Sequence, residues 1–241
     1  MITSNLIQRR IERFWGYGSL EAPVWFVGME EGLGKNTNIG ELEARFLAAD
    51  GRVTVDMRRD MMLVPDHIRF FKDSAPIQAS WKYPIALYLY LKNQKEPSPE
   101  EIRYYQAHKL GDSELKSDVA IELMPLPSHK ASEDTWLYAN YGIPGLGSRK
   151  KYLDTYKPKR TKELNRLIKT YFPRLVVFYS LTYLPDWIEV MGENPKEVCR
   201  QMYFAKNGKT SFCVIPQGVS FGMSYARIYE FAGKVSGEIK I

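Results

Sequence analysis

Two adjacent carboxylates directly follow a short apolar run near the beginning of this sequence. The run Val24–Val27 has the composition of a buried strand, and Gly28, Glu30, Glu31 and Gly32 come next. In open α/β sheets, ligands bind just beyond the carboxyl ends of the strands. Carboxylates at such a point can stabilise positive charge on a substrate or orient an attacking water. The sequence therefore predicts an active-site loop here.

This loop differs from the glycine-rich loops that bind phosphate. A P-loop has Ser or Thr after its Gly-Lys pair, whereas Gly34-Lys35 is followed by Asn36, and Met29 stands where the first glycine is needed. A dinucleotide-binding fingerprint lacks its third glycine because residue 37 is Thr37. Two carboxylates would also repel a polyphosphate. The pattern favours a neutral ligand or a centre of developing positive charge.

The composition limits the classes of protein to which this sequence can belong. The 241 residues are enough for one domain, 44% of them are hydrophobic, and the net charge is +6. A basic chain suits a nucleic-acid partner, although an ordinary basic protein has the same charge. Two cysteines are too few for an iron–sulfur cluster or a cysteine-rich zinc site, and the three histidines show no metal-ligand spacing. We therefore expect neither cofactor nor metal.

The targeting signals point to the cytoplasm. Residues 1–5 lead into a charged amphipathic segment rather than a signal peptide. No run approaches the roughly 18 apolar residues that a membrane span needs. We expect a cytoplasmic monomer that does not associate with membranes.

Four apolar runs alternate with helical patterns along the chain. They predict strands at Val24–Val27, Val119–Met124, Leu175–Tyr179 and Ser211–Ile215. Alternating strands and helices predict an α/β fold, here a four-stranded, mostly parallel sheet sandwiched by helices. The carboxyl ends of parallel strands share one edge, so Glu30, Glu122 and Gln217 should lie close together.

Helix boundaries are also predicted. Ser98 with Glu101 has the spacing of a capping box before a helix that runs toward Lys109. A long helix is predicted over about 161–171, and a last one over about 224–235. The second strand should end at the Pro125-Leu126-Pro127 segment.

The first loop and the later strand ends resemble motifs of the uracil-DNA glycosylase superfamily. Gly28-Met29-Glu30-Glu31-Gly32 resembles the first motif, which follows the first strand of that family. The resemblance extends back through residues 17–24 and onward through Val119–Pro127, Pro173–Tyr179 and Pro216-Gln217-Gly218. It describes a single domain, 1–241, with an enlarged insertion at about 40–115.

The resemblance implies hydrolysis of an N-glycosidic bond after the nucleotide is flipped out of the duplex. Glu30 falls at the water-positioning residue, and Glu122 falls where many members carry an Asn that reads the base. Gln217 falls near a His-Pro-Ser motif whose His stabilises the leaving base, but an amide cannot supply a cationic proton. The resemblance thus assigns catalytic roles to Glu30 and Gln217 and a base-binding role to Glu122. We also expect Met29, Glu31 and Trp81 to bind the base.

Each of these residues also has a structural alternative. Glu30 could be a solvated loop residue, Glu122 could cap a helix or pair with a lysine, Trp81 could belong to the core, and Gln217 could be a turn residue.

A basic stretch predicts contacts with the DNA backbone. Its members are Arg149, Lys150, Lys151, Lys157, Lys159 and Arg160. Cations of this kind neutralise phosphates, although a solvated helix face has the same composition.

The substrate is predicted from Glu122. An ionised carboxylate only accepts hydrogen bonds, so it would repel a uracil carbonyl and bind an exocyclic amine. This favours a modified cytosine, as found in some viral DNA, and a defence role. Two alternatives stay open: a catalytically silent relative that binds nucleic acid, and a hydrolase of small nucleosides.

Overall fold

The strands form one mixed sheet in the middle of the molecule. The computed structural model describes residues 2–33, 39–129, 136–220 and 222–241. Within them the strands are β1 (Gly16–Gly18), β2 (Val24–Gly32), β3 (Thr54–Val55), β4 (Asp118–Ser128), β5 (Leu175–Phe178), β6 (Lys196–Cys199), β7 (Met202–Asn207) and β8 (Thr210–Val214). They lie in the order β3-β1-β4-β2-β5-β8-β7-β6.

The α/β class is confirmed, but the prediction of a four-stranded sheet is wrong because the sheet has eight strands. The four predicted strands are its parallel centre, β4-β2-β5-β8. The additional strands are β1, which is antiparallel to β4, its neighbour β3, and the antiparallel pair β6 and β7 beyond β8. They lack the apolar runs of the centre because they are short or lie toward an edge.

β4 continues through both prolines, contrary to the prediction that it ends before them. The pairing of β2 with β4 shifts register between Glu30 and Gly32, which face Met124 and Ser128. The prolines therefore fall in a bulge, where missing N–H groups remove no regular ladder bond. The bulge lies beside the predicted active-site loop.

Helices cover both faces of the sheet. They are α1 (Ser4–Arg13), α2 (Ile39–Ala48), α3 (Met57–Met61), α4 (Pro65–Ile68), α5 (Ala79–Asn93), α6 (Pro99–His108), α7 (Arg149–Tyr171), α8 (Leu184–Met191) and α9 (Tyr225–Val235). Trp25 points into a core with α1, α2, α7 and α8, and Phe26 into a second core with α3, α5, α6 and α9. In the described ranges, no helix combines the length and apolar character that a membrane crossing requires.

The observed helix boundaries can be compared with the boundaries predicted from the capping residues. The capping box of Ser98 and Glu101 is confirmed at the start of α6. The long helix α7, however, begins at Arg149 and contains Pro158, so its predicted start near 161 is wrong. A proline disfavours a helix interior, which hid the first three turns. The true signal is Ser148, whose hydroxyl accepts a hydrogen bond from the Lys151 amide.

Candidate active site

A cavity of about 450 Å³ lies at the carboxyl ends of the central strands. All six side chains assigned to catalysis or base binding line it: Met29, Glu30, Glu31, Trp81, Glu122 and Gln217. The first three come from the end of β2, Glu122 from β4, Trp81 from the first turn of α5 and Gln217 from the segment after β8. The structure brings them together, and their chemical roles stay predictions.

Glu30 is held by an arginine from the start of α7. The Nη2 of Arg149, in the first turn of α7, donates a hydrogen bond to Oε1 of Glu30. The other oxygen, Oε2, is buried and has no hydrogen-bond partner among the described residues. Burial raises the pKa of Glu30, while the Arg149 guanidinium acts to lower it. One oxygen is thus fixed by Arg149, and the other is unpartnered in a residue that lines the cavity.

Glu31 belongs to a buried ionic network beside the cavity. Arg45 donates to both of its oxygens at 2.7 Å, and the Tyr17 hydroxyl donates to Oε2 at 2.6 Å. Burial favours protonation, but the Arg45 guanidinium, the Tyr17 hydroxyl and the charge of Arg10 together outweigh it and lower the pKa of Glu31. With its oxygens occupied by Arg45 and Tyr17, Glu31 supports the cavity wall, and its predicted contact with a base stays a prediction.

Arg45 connects this network to a second carboxylate. Its Nε donates to Oδ2 of Asp60 at 2.7 Å, and its side chain is completely buried. One guanidinium thus bridges Glu31 and Asp60. A bidentate pairing of this kind suits arginine because its donors form a planar fork.

Glu122 is the most buried carboxylate of the cavity. Glu122 is 8% exposed, and its Oε2 has no hydrogen-bond partner among the described residues. Burial, with the charges of Glu31 and Glu30, raises the pKa of Glu122 well above its usual range. An ionised Glu122 was the premise of the predicted amine preference, and this environment contradicts that premise. A neutral carboxyl can donate as well as accept.

Tyr179 was missed as a site residue. A Cβ on Gly28 would lie 2.5 Å from the Tyr179 hydroxyl oxygen, so only glycine lets this ring lie against β2. Gly28 is the register partner of Glu122, which places the phenol beside that carboxyl. Burial and the nearby Glu122 raise the pKa of Tyr179 well above its usual range, so the hydroxyl is a neutral donor. A glycine inside a strand was the available signal.

Residues of the segment predicted to be an insertion supply one wall of the cavity. Besides Trp81, its contributors are Met61, His67, Phe70, Phe71, Gln78 and Ser80. The Trp81 and Phe71 rings lie 6.5 Å apart, and Oε1 of Gln78 is buried with no hydrogen-bond partner in the described part of the chain. This wall could not be found from the sequence because residues 50–77 have no regular hydrophobic period.

The segment after β8 is placed by a close backbone contact. A Cβ on Gly218 would lie 1.6 Å from the Ala79 carbonyl oxygen, so the segment packs directly on the start of α5. This contact fixes Gln217, which is exposed and lines the cavity, near the helix that carries Trp81. The next residue, Val219, is 76% exposed.

The members of the basic stretch differ in burial and in their partners. Arg160 is buried: its Nη1 and Nη2 donate to the carbonyls of Ile11 and Phe14, and the guanidinium lies 3.7 Å from the Trp15 ring centroid. It ties β4, α1 and α7 together, so its prediction as a phosphate contact is wrong. Arg149 is likewise committed to Glu30 and is not a surface cation.

The lysines of α7 remain at the surface to different degrees. Lys151 and Lys159 are exposed, and Lys150 is exposed with an ion pair to Asp154 at 2.7 Å. Lys157 is partly buried and pairs with Asp186 on α8 at 2.8 Å. Their contact with DNA stays a prediction.

Metal-ligating side chains do not cluster in the described ranges: no group of three or more histidine, cysteine, aspartate and glutamate residues there could hold a metal ion. The histidines of the cavity, His67 and His129, come from different walls. His67 contacts the Met61 sulfur through Nδ1 at 3.2 Å. Two imidazoles therefore line the cavity, although the segment Pro216-Gln217-Gly218 contributes none.

No family model matches this sequence, and no curated protein matches it. The function is accordingly inferred from the chemistry of the cavity and from the motif resemblance.

Proposed function

We propose that this protein is a monofunctional DNA glycosylase that hydrolyses the N-glycosidic bond of a flipped-out uracil or modified base. The observation that carries the proposal is Glu30: a carboxylate held by Arg149 at the end of β2, with an unpartnered second oxygen, in a residue that lines the cavity. Such a group stabilises the positive charge that develops on the sugar and orients the attacking water.

The cavity supports a substrate of base size. Its volume of about 450 Å³ falls within the range typical of small-molecule sites, about 300–1,000 Å³. It combines aromatic rings such as Trp81 and Phe71 with a few polar groups, a lining that suits a base stacked and read on its edge. The wall built by the insertion gives room for a substituent, which keeps a modified cytosine of foreign DNA among the candidates.

The direct test is a panel of duplexes, each with one modified base, assayed for free base and for abasic sites. We expect release from at least one of two groups, uracil-containing DNA or DNA with substituted cytosines. Release of uracil alone would favour a repair role, and release of substituted cytosines alone would favour defence. Binding of every duplex without release of any base would refute catalysis.

That last outcome describes the second candidate, a catalytically silent relative that binds nucleic acid. It is favoured by one observation, the exposed amide of Gln217 at the place where the resemblance implies a histidine. An amide can hydrogen-bond to a leaving base but cannot protonate it.

DNA contact is supported by the start of α7. Its first turn holds Arg149, Lys150 and Lys151 and no acidic residue, although cations at a helix N-terminus oppose the helix dipole. Arg149 reaches Glu30, a residue that lines the cavity, and the two lysines follow Arg149 directly in the same helical turn. Phosphates bound there would offset the unfavourable charge.

Replacing Lys150 and Lys151 together with alanine should therefore weaken duplex binding and flatten its salt dependence. Each lost phosphate contact should reduce the slope of log affinity against log salt by about 0.9. The matched control is Lys162→Ala with Lys169→Ala, which removes the same charge from the far part of α7, with Lys169 about 30 Å along the axis from Arg149. Equal slopes for the two double variants would show that the first turn does not contact DNA.

Val219 suggests how the gap left by the flipped nucleotide is filled. It is an exposed apolar side chain two residues from Gln217, which lines the cavity. Apolar side chains inserted between base steps hold a duplex open. We expect Val219→Ser to reduce base release from duplex DNA about tenfold and to leave release from single-stranded DNA unchanged, because unstacking costs a few kcal/mol only in the duplex. An equal loss on both substrates would contradict a wedge role.

A further inference from the structure

We propose that Glu122 works as a neutral carboxylic acid whose O–H donates a hydrogen bond to the departing base. The proposal rests on the proposed function, and it gives Glu122 a catalytic role beyond reading the base edge. It also supplies a hydrogen-bond donor for the departing base in a site where Gln217, an amide, cannot act as a cationic donor.

The geometry separates Glu122 from the other carboxylates of the cavity. Glu30 is paired with Arg149, and the oxygens of Glu31 are occupied by Arg45 and Tyr17. Glu122 alone among these three combines burial above nine-tenths with an oxygen that has no hydrogen-bond partner in the described residues. A buried polar atom without a partner is costly, and a ligand that supplies one removes that cost.

The charges around Glu122 decide its protonation. The groups that face it are Glu30 and Glu31 from β2, Arg10 from α1, Arg45 from α2 and Tyr179 from the end of β5. Arg10 and Arg45 favour the ionised form, but burial and the two glutamates outweigh them and raise the pKa of Glu122. His67 and His129 line the same cavity. Burial and like charges also keep carboxyl groups neutral in enzymes that use them as hydrogen-bond donors.

The reaction balances without transfer of the Glu122 proton. The C1′–N bond breaks and its electron pair stays on the base, while the oxygen of a water held by Glu30 bonds to C1′ and its proton passes to solvent. The O–H of Glu122 hydrogen-bonds to the base atom that gains negative charge, and the released base then takes a proton from solvent. Glu122 ends the cycle as it began, in its neutral form.

A neutral carboxyl also defines which base edges fit. It presents one donor and one acceptor side by side, so it can pair with adjacent N–H and C=O groups, or with an amino group beside a ring nitrogen. Uracil and cytosine edges both meet this requirement. Base choice is therefore left to the walls of the cavity and not to repulsion by Glu122.

Two variants separate this role from a structural one. Glu122→Gln keeps a hydrogen-bond donor but does not titrate, whereas Glu122→Leu has a similar size and no donor. We expect Glu122→Gln to retain kcat within about tenfold, and Glu122→Leu to lose about 100-fold in kcat with little change in KM. Tyr179→Phe, which removes the neighbouring hydroxyl, is the matched control and should lose less than Glu122→Leu.

The pH dependence gives a second readout. The wild-type rate should fall as the pH rises through the pKa of Glu122, and Glu122→Gln should lack this alkaline limb. Stability should follow the same group: because its folded-state pKa is raised, its stabilising effect is present below the unfolded pKa and is lost as the pH rises through the folded one. Glu122→Gln should remove that slope from the free energy of unfolding.

Protonation can be observed without any substrate. The infrared difference spectrum between wild type and Glu122→Gln, at about pH 8, should contain the carbonyl band of a protonated carboxyl. At this pH Asp118, whose pKa is raised by burial to about 6, is ionised and does not contribute.

The outcomes are distinguishable. Absence of the infrared band overturns the proposal whether or not the protein releases bases. Presence of the band with full activity in Glu122→Leu overturns the catalytic role and leaves the glycosylase function standing. Presence of the band with no base release by wild type on any duplex overturns the glycosylase function, and the catalytic role with it.

Discussion

Glu30→Gln is expected to slow base release about 100-fold to 1,000-fold while duplex affinity changes little. The amide keeps the size of the side chain and an oxygen that can accept from Arg149, so the loss reflects the missing negative charge. That charge matters only when positive charge develops on the sugar, so kcat should fall and KM should stay nearly constant. Single-turnover measurement of abasic-site formation tests the expectation.

Arg149 provides the companion variant. Its guanidinium opposes the effect of burial on Glu30, so Arg149→Gln should raise the pKa of Glu30 further. Glu30 acts as a carboxylate, and the acid limb of the rate profile should therefore move to higher pH. At a pH well above that limb, Arg149→Gln should recover much of its activity and Glu30→Gln should not. Full activity in Glu30→Gln would show that another group stabilises the sugar.

The parallel centre of the sheet was predictable because its strands are buried on both faces. Runs such as Val24–Val27 and Leu175–Phe178 are continuous and apolar, and few structures other than a buried strand are compatible with such a run. The edge strands are short or half exposed, so nothing in their composition separates them from loops. Likewise, Pro158 concealed the first part of α7, and two prolines concealed the end of β4.

The cavity was predictable from topology, but its charge states were not. Strand ends of a parallel sheet meet at one edge, which is enough to bring Glu30, Glu122 and Gln217 together. The protonation of Glu122 depends on burial by segments whose position no local pattern encodes. Arg45 and Asp60 show the same limit: they lie 15 residues apart in the sequence, and only the tertiary structure buries them against Glu31.

The buried network explains how the cavity holds its acidic residues together. Arg45 is completely buried, and it donates to Glu31 and Asp60, each at 2.7 Å. A buried charge that loses its partner is left without solvation, which costs much more than a surface ion pair contributes. The side chain that pairs with both carboxylates should therefore be critical to the fold.

Arg45→Met should lower the free energy of unfolding by about 3–5 kcal/mol. The matched control is Arg59→Met on α3: its ion pair with Glu114 joins side chains that are both 76% exposed, so the loss should stay below about 1 kcal/mol. Adding Glu31→Gln and Asp60→Asn to Arg45→Met should recover part of the loss, because the uncompensated charges are then removed. Urea unfolding at neutral pH measures all three differences.

The pH dependence of the free energy of unfolding shows how the pairing of Arg45 with Glu31 stabilises the fold. Arg45 lowers the pKa of Glu31, so this carboxylate stabilises the fold above its unfolded pKa, and that contribution is lost as the pH falls through the folded value. Without Arg45, only the Tyr17 hydroxyl and the charge of Arg10 oppose burial, so the pKa of Glu31 should rise and the fold should tolerate the protonated form better. The deficit of Arg45→Met should therefore be largest at neutral pH and shrink as the pH falls below about 5. A deficit that is independent of pH, or no larger than that of Arg59→Met, would show that Arg45 contributes by packing and not by pairing the buried carboxylates.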